Sequence, residues 1–151
     1  MLIEHETFTA ETGPPRGRLW NEGIFRWCNF VQLEIELPMV GGAMIGCALR
    51  EVDWYWGLFN TVLLSHTTFK SCVFRGMSFA ECEFIACRFE DCRFVLNNLQ
   101  GPCRFSNCIV VETAFDRCEF VVDNPRCTPV FVETRFYGCT QAECSGLAGV
   151  V

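Results

Sequence analysis

Histidine is nearly missing from this chain: its 151 residues include only His5 and His66. Proton transfer and zinc binding both rely heavily on imidazole, so two histidines far apart in sequence carry neither. Both are read as solvated surface side chains, and no cofactor or metal is expected. Cations are also scarce, with 12 Lys and Arg against 18 Asp and Glu and a formal net charge of -6. Nucleic-acid phosphates are held by clustered Lys and Arg, so a direct nucleic-acid partner is excluded, whereas a protein partner is not. No apolar run reaches the length of a membrane span. Residues 1–17 carry Glu4, His5, Glu6, Glu11 and Pro14-Pro15 instead of the apolar core of a secretory signal. The expected address is cytoplasmic, without a membrane partner, although export by a route that reads no apolar signal stays open. A glycine-rich phosphate loop is lacking as well, since Gly41-Gly42 falls in a break of the pattern below and Gly146 and Gly149 near the end.

What the chain has is a period of five. From Met44 the steps reach Leu49, Trp54, Phe59, Leu64, Phe69, Phe74, Phe79, Phe84, Phe89, Phe94 and Leu99, twelve apolar residues in succession. With half the residues apolar, such a run in one phase has a chance of about one in four thousand, so it reflects a pattern and not composition. The phase slips by one residue near Gly101-Pro102 and resumes at Phe105, Val110, Phe115 and Phe120. It slips again between Pro125 and Pro129, before Phe131 and Phe136. Upstream, Trp20, Phe25, Phe30 and Ile35 keep the spacing, and one residue is lost near Pro38 to Gly42. Fourteen of the fifteen phenylalanines lie on these centres.

Two residues before each centre stands a small one, and eleven of the twelve cysteines share that slot. A small residue at i-2 and a large one at i are the inward positions of a short extended segment, and the remaining two residues must turn a corner. Neither a helical nor a simple strand period keeps both sets on one side over a hundred residues. A coiled chain does.

Repeats such as Cys82-Glu83-Phe84-Ile85-Ala86 and Cys87-Arg88-Phe89-Glu90-Asp91 resemble the pentapeptide-repeat family, whose usual unit is A(D/N)LXX with the small residue and the Leu or Phe inward. The resemblance implies an all-β fold, a right-handed quadrilateral β-helix with about twenty residues per coil. Residues 18–146 then make about six coils, roughly 30 Å long at strand spacing. Residues 1–17 form a leader or cap, and residues 147–151 form a tail. Departures are Cys in place of most Ala, few Asp or Asn at i-1, and the three breaks, which are expected as loops or bulges at corners.

The cysteines invite three sharper readings. Structural zinc needs convergent ligands, but Cys82, Cys87 and Cys92 send successive sulfurs to different faces. Disulfides fit poorly, because stacked neighbours lie too far apart at Cβ. A nucleophile needs exposure and a base; only Cys127 falls outside the inward slot, and no histidine accompanies it. The chain therefore reads as a non-enzyme with a filled interior.

Stacking by twenties turns the outward residues into columns. One corner reads Gln32, Glu51, Ser71, Asp91 and Glu112, with Glu34, Asp53 and Glu90 close by, an acidic stripe. Column arithmetic also sets Lys70 against Glu90 and Glu83 against Arg104. The next corner reads Leu37, Trp56, Gly76 and Leu96, flanked by Tyr55 and Val95, apolar residues on slots where polar ones are expected. Such a stripe is either tucked under an irregular coil or a contact site. Two functions follow. A partner-binding scaffold, for example neutralising a toxin or adapting an effector, would use the Tyr55, Trp56 and Leu96 stripe. Quinolone-resistance and gyrase-inhibitor members of the family instead imply a DNA mimic acting on a type II topoisomerase such as DNA gyrase, although the projecting loops of those members are not evident. The same members imply a homodimer through the C-terminal coil.

Overall fold

The computed structural model describes residues 1–36 and 38–151, and it consists almost wholly of two- and three-residue strands. Each strand is centred on one inward residue, and two residues turn the corner to the next. At most corners the residue two after the centre adopts left-handed backbone, with φ for residues other than glycine from 46° at Glu112 to 62° at Trp56. That conformation costs a residue other than glycine about 1–2 kcal/mol. Hydrogen bonds between coils offset the cost: the corner N–H of Gln32 donates to Arg50 O at 2.9 Å, and that of Ser71 to Glu90 O at 2.9 Å. Every coil is thus completed by its neighbours, as in other solenoids.

Four parallel sheets form the sides. The first face stacks Leu2–Glu4, Ile24–Arg26, Ala43–Ile45, Leu63–Ser65, Glu83–Ile85, Ile109–Val111 and Arg135–Tyr137. The second face has seven strands, from Thr7–Phe8 to Thr140–Ala142. The third has five, from Glu34–Glu36 to Glu119–Phe120, and the fourth has five, from Met39–Val40 to Phe131–Val132. Among the described residues no helix is long and apolar enough to cross a membrane.

The interior is a set of ring stacks. Phe69 lies on Phe89 at 4.6 Å and 2°, Phe74 on Phe94 at 4.7 Å, and Phe79 on Phe105 at 4.6 Å, with edge contacts between adjacent faces such as Phe69 to Phe74 at 5.8 Å. Each buried ring contributes about 1.5–3 kcal/mol by burial, and each aromatic pair roughly 0.5–1.5 more. The i-2 slot explains the cysteines. Cys72, Cys82, Cys87 and Cys92 each donate the thiol proton to the carbonyl of the centre residue on the preceding face of the coil below, at 3.2–3.5 Å. Thiols fill a slot sized for a small apolar residue and occupy a carbonyl lone pair as well. Thr67 takes the same slot, donating to Met44 O at 3.2 Å and accepting from Cys47 N at 3.4 Å.

Columns after Phe94 differ from the sequence expectation. The slip at Gly101-Pro102 is not one residue but six, because Phe94 and Phe105 are consecutive centres eleven residues apart. The same holds from Phe120 to Phe131. Leu99 is therefore no core centre; it is 55% exposed in a loop. Phe89 stacks on Phe115 and Phe84 on Val110, so Glu83 pairs with Ile109 and Arg104 with Ser78. An inserted loop and a one-residue slip leave the same phase modulo five, which is why the periodicity did not separate them. Lys70 does lie against Glu90.

The two ends are built differently. Leu2–Glu4 and Thr7–Phe8, within the segment expected as a leader, pair with Ile24–Arg26 and Asn29–Val31 as strands of the first coil. Trp20 sits on the short helix Arg18–Glu22, not on a strand, and its ring packs 5.5 Å from Trp54. At the other end Leu147 is 1% exposed. Gln141 occupies the centre slot above Phe115, and its amide donates to Val151 O at 3.0 Å.

Candidate partner-binding corner

Between the third and fourth faces the chain breaks its period twice, on successive coils. Both six-residue insertions emerge at this one corner, because the rings at Phe94, Phe105, Phe120 and Phe131 must stay in stack while a corner can carry extra chain. The loops are built on asparagines. Asn97 Oδ1 accepts from the N–H groups of Leu99 and Gly101, each at 2.9 Å. Asn124 Oδ1 accepts from Thr128 N at 3.1 Å, and its Nδ2 donates to Thr128 O at 2.8 Å. Arg126 joins the two loops by donating to Leu99 O at 3.0 Å.

The first loop folds back over the apolar column. Asn97 packs on Gly76, where φ is +58° and a Cβ would collide with its side chain. Asn98 N donates to the Tyr55 hydroxyl at 3.3 Å. Val95 is 8% exposed, Leu96 and Tyr55 are half-buried, and Trp56, at 36%, is the most open of the aromatic pair. Their rings lie parallel, 5.8 Å apart at 8°. Leu37, expected in this column, lies outside the described residues. The exposed apolar residues of the corner are thus Trp56, Leu99 and Val122, with Met39 on the adjoining strand. Leu99 and Val122 were missed as surface residues, and the signal for them was the loop length. A shallow groove beside the corner is lined by Glu34, Glu36, Asp53, Tyr55 and Asn98.

The acidic stripe is not assembled as a stripe. Glu51 and Asp91 do share a corner, two coils apart, with Gln32 Nε2 donating to Glu51 at 2.7 Å. Glu112 belongs to the corner between the first and second faces, in column with Ala86 and Gly138, displaced there by the six-residue insertion. Its expected place is held by Arg117, which pairs with Asp91 at 2.8 Å and Asp116 at 2.9 Å. Arg117 holds the Asp91 carboxyl below the usual carboxylate range. Asp53 pairs with Arg75 at 3.1 Å, and Glu90 pairs with Arg88. Three of the five acids are therefore neutralised locally.

Four flat parallel sheets around a phenylalanine interior have known counterparts. The structure of Rfr23, a pentapeptide repeat protein from the cyanobacterium Cyanothece 51142, matches with a TM-score of 0.62 at 8% identity over 80% of this chain and 89% of that one. Trypsin-treated QnrB1, a plasmid-mediated fluoroquinolone resistance protein, matches with a TM-score of 0.51 at 13% identity over 95% of this chain and 67% of that one. This chain has the pentapeptide-repeat fold. At such identities the likeness carries the fold and nothing finer. No family model matches the chain, and no curated protein matches it.

Burial pushes the thiols of Cys47 and Cys87 up to about 11 and that of Cys103 up to about 12, so these three are held protonated at neutral pH. Cys127 is exposed in the second loop. His66 faces solvent at a corner with its Nδ1 2.7 Å from Ser65 Oγ, and His5 stacks on Trp27 at 5.1 Å. Among the described residues no three His, Cys, Asp or Glu side chains converge as metal ligands.

Proposed function

We propose that this chain is a non-catalytic scaffold that binds a specific protein partner through the loop-bearing corner between its third and fourth faces. The observation that carries the reading is the placement of two equal insertions on successive coils of the same corner. Neither loop adds to the ring stacks, yet both are braced by asparagine and arginine hydrogen bonds. Order without a role in the core points to a surface that is presented. The Trp56 ring, with Leu99 and Val122 around it, supplies the apolar anchor such contacts favour. The Glu34 and Glu36 carboxylates of the groove beside it suit a cationic side chain of the partner. A toxin to be neutralised and an effector to be carried both fit this role.

Imitation of DNA at a type II topoisomerase has less support, because a regular row of free carboxylates is what it requires and Arg117 interrupts the row. One affinity-capture experiment separates the two readings. Wild-type protein and its Trp56→Ala and Glu51→Lys/Asp91→Lys variants are immobilised, and bound proteins are identified and titrated. The scaffold reading expects Trp56→Ala to weaken the captured partner about 30-fold, the ~2 kcal/mol of a buried aromatic anchor. Binding that survives Trp56→Ala and vanishes with the lysine pair would replace this reading with the mimic.

A further inference from the structure

The first face is unlike the others on its outside. The second face shows solvent Arg50, Lys70, Arg88, Glu90 and Asp116, the charged surface expected of a sheet in water. On the first face the middle strand carries Leu63 and Ser65 outward, and the pattern is nearly symmetric about it. In the row of Leu63, Ile24 and Ile109 stand two strands away on either side, both exposed, with Ala43 and Glu83 one strand away. In the row of Ser65, Ile45 and Ile85 are its immediate neighbours. Seven strands make a flat strip about 29 Å long. Apolar strips of this size on the outside of a folded chain mark contact surfaces.

We propose that two copies of this chain pack first face to first face, antiparallel, about a two-fold axis crossing the rods at Leu63. Leu63 then meets Leu63 of the second copy, Ile24 meets Ile109, and Ile45 meets Ile85. Glu83 comes down on Ala43, the smallest side chain in its row. Charge chooses the direction. Arg26 is satisfied by Glu4 at 2.7 Å, while among the described residues Glu83 and Arg135 make no ion pair. Antiparallel packing lays Arg135 of each copy over Leu2 of the other, beside Glu4, twice by symmetry. Parallel packing would instead press Ile24 onto Arg26 and Glu83 onto Ile85, with none of the Leu63, Ile24–Ile109 or Ile45–Ile85 pairs, whereas in the antiparallel arrangement Arg26 lies on Val111 with its charge already held by Glu4. A strip only one face wide buries less than the roughly 1,200 Å² of firm complexes, so the dimer is weak and concentration-dependent. The loop-bearing corner lies off this face and stays free, so the inference does not depend on the partner proposed above.

Sedimentation equilibrium of the full chain, from about 1 to 500 μM, reads the association directly. Dimerisation in the micromolar range is expected, with Leu63→Glu and Leu63→Lys each weakening it at least about 100-fold, since both place like charges on the axis. Mixing the two variants restores a heterodimer, because only an axial residue meets itself. Leu63→Cys in a Cys127→Ser background forms a disulfide-linked dimer under mild oxidation, and this reading decides the matter if the charged variants melt early. A wild-type chain monomeric across the range overturns the proposal. So does a dimer indifferent to Leu63→Glu, or one abolished by deleting residues 147–151 with Leu63 intact.

Discussion

Residues 43–96 and residues 97–134 build the same coil by different means. In the first stretch every face follows the last after five residues, and the rings of Phe69 and Phe89 stack at 4.6 Å. In the second the path is lengthened twice by six residues, and Phe94 still stacks on Phe120 at 4.2 Å. The core is indifferent to the detour because the ladder is completed coil to coil. Phe120 N finds Ser145 O and Val121 N finds Phe94 O, whichever way the intervening chain travels. Interior and corner are separable in this architecture, so insertions collect where they disturb no stack.

The comparison breaks most sharply if a ring is made polar. Phe89→Asp puts an unpaired charge between Phe69 and Phe115, with an expected loss above about 4 kcal/mol. Circular dichroism should report an unfolded or aggregated chain. A folded variant would show that the stacks are not what holds the coils. By contrast, deleting residues 97–102 joins Leu96 to Cys103 and recreates a five-residue step. That variant is expected to fold with its melting temperature changed by only a few degrees, a cost of about 1 kcal/mol, while losing the bound partner. Collapse of the deletion variant would show the loop to be structural.

Thiol labelling sharpens the same contrast. Cys127, exposed in the second loop, is expected to react at once near pH 8. Cys139 and Cys144 at the last coil follow more slowly, and the buried nine wait for denaturant. Because burial raises the Cys47, Cys87 and Cys103 thiols, the reactive thiolate of each appears only at alkaline pH. Rapid native labelling of several slot cysteines would contradict the interior described here. The smallest effect is expected at Trp54, whose buried indole N–H has no hydrogen-bond partner among the described residues. Trp54→Phe loses ring volume and removes an unsatisfied donor, each roughly 1–2 kcal/mol and opposite in sign. Thermal melting within about 3 °C of wild type is the expected result. A large drop would mean that the indole's size, not its polarity, dominates at the end packed by Trp20.

Much of this molecule could be read before it was folded. The five-residue spacing of Phe, Leu and Met and the cysteines two places earlier specify which side chains point in, because burial is a local, periodic demand. Those features identified the β-helix and placed Trp56 at a corner beside Tyr55. Reading failed where phase alone was the guide. A slip of one and a loop of six look identical to a five-residue period, so Leu99 was assigned to the core and Glu112 to the wrong corner.

The linear sequence by itself determined the coil, the ring-filled interior and the buried thiols, since each depends only on residues repeating in step. The neighbours of the outward side chains were decided by the tertiary structure. Stacking set Arg117 rather than Glu112 beside Asp91, drew Val95 under the first loop, and gathered isoleucines from four separate strands onto one face. Those neighbours come from the turn count of the whole rod, a sum over every preceding corner, and a single uncounted loop changes them all.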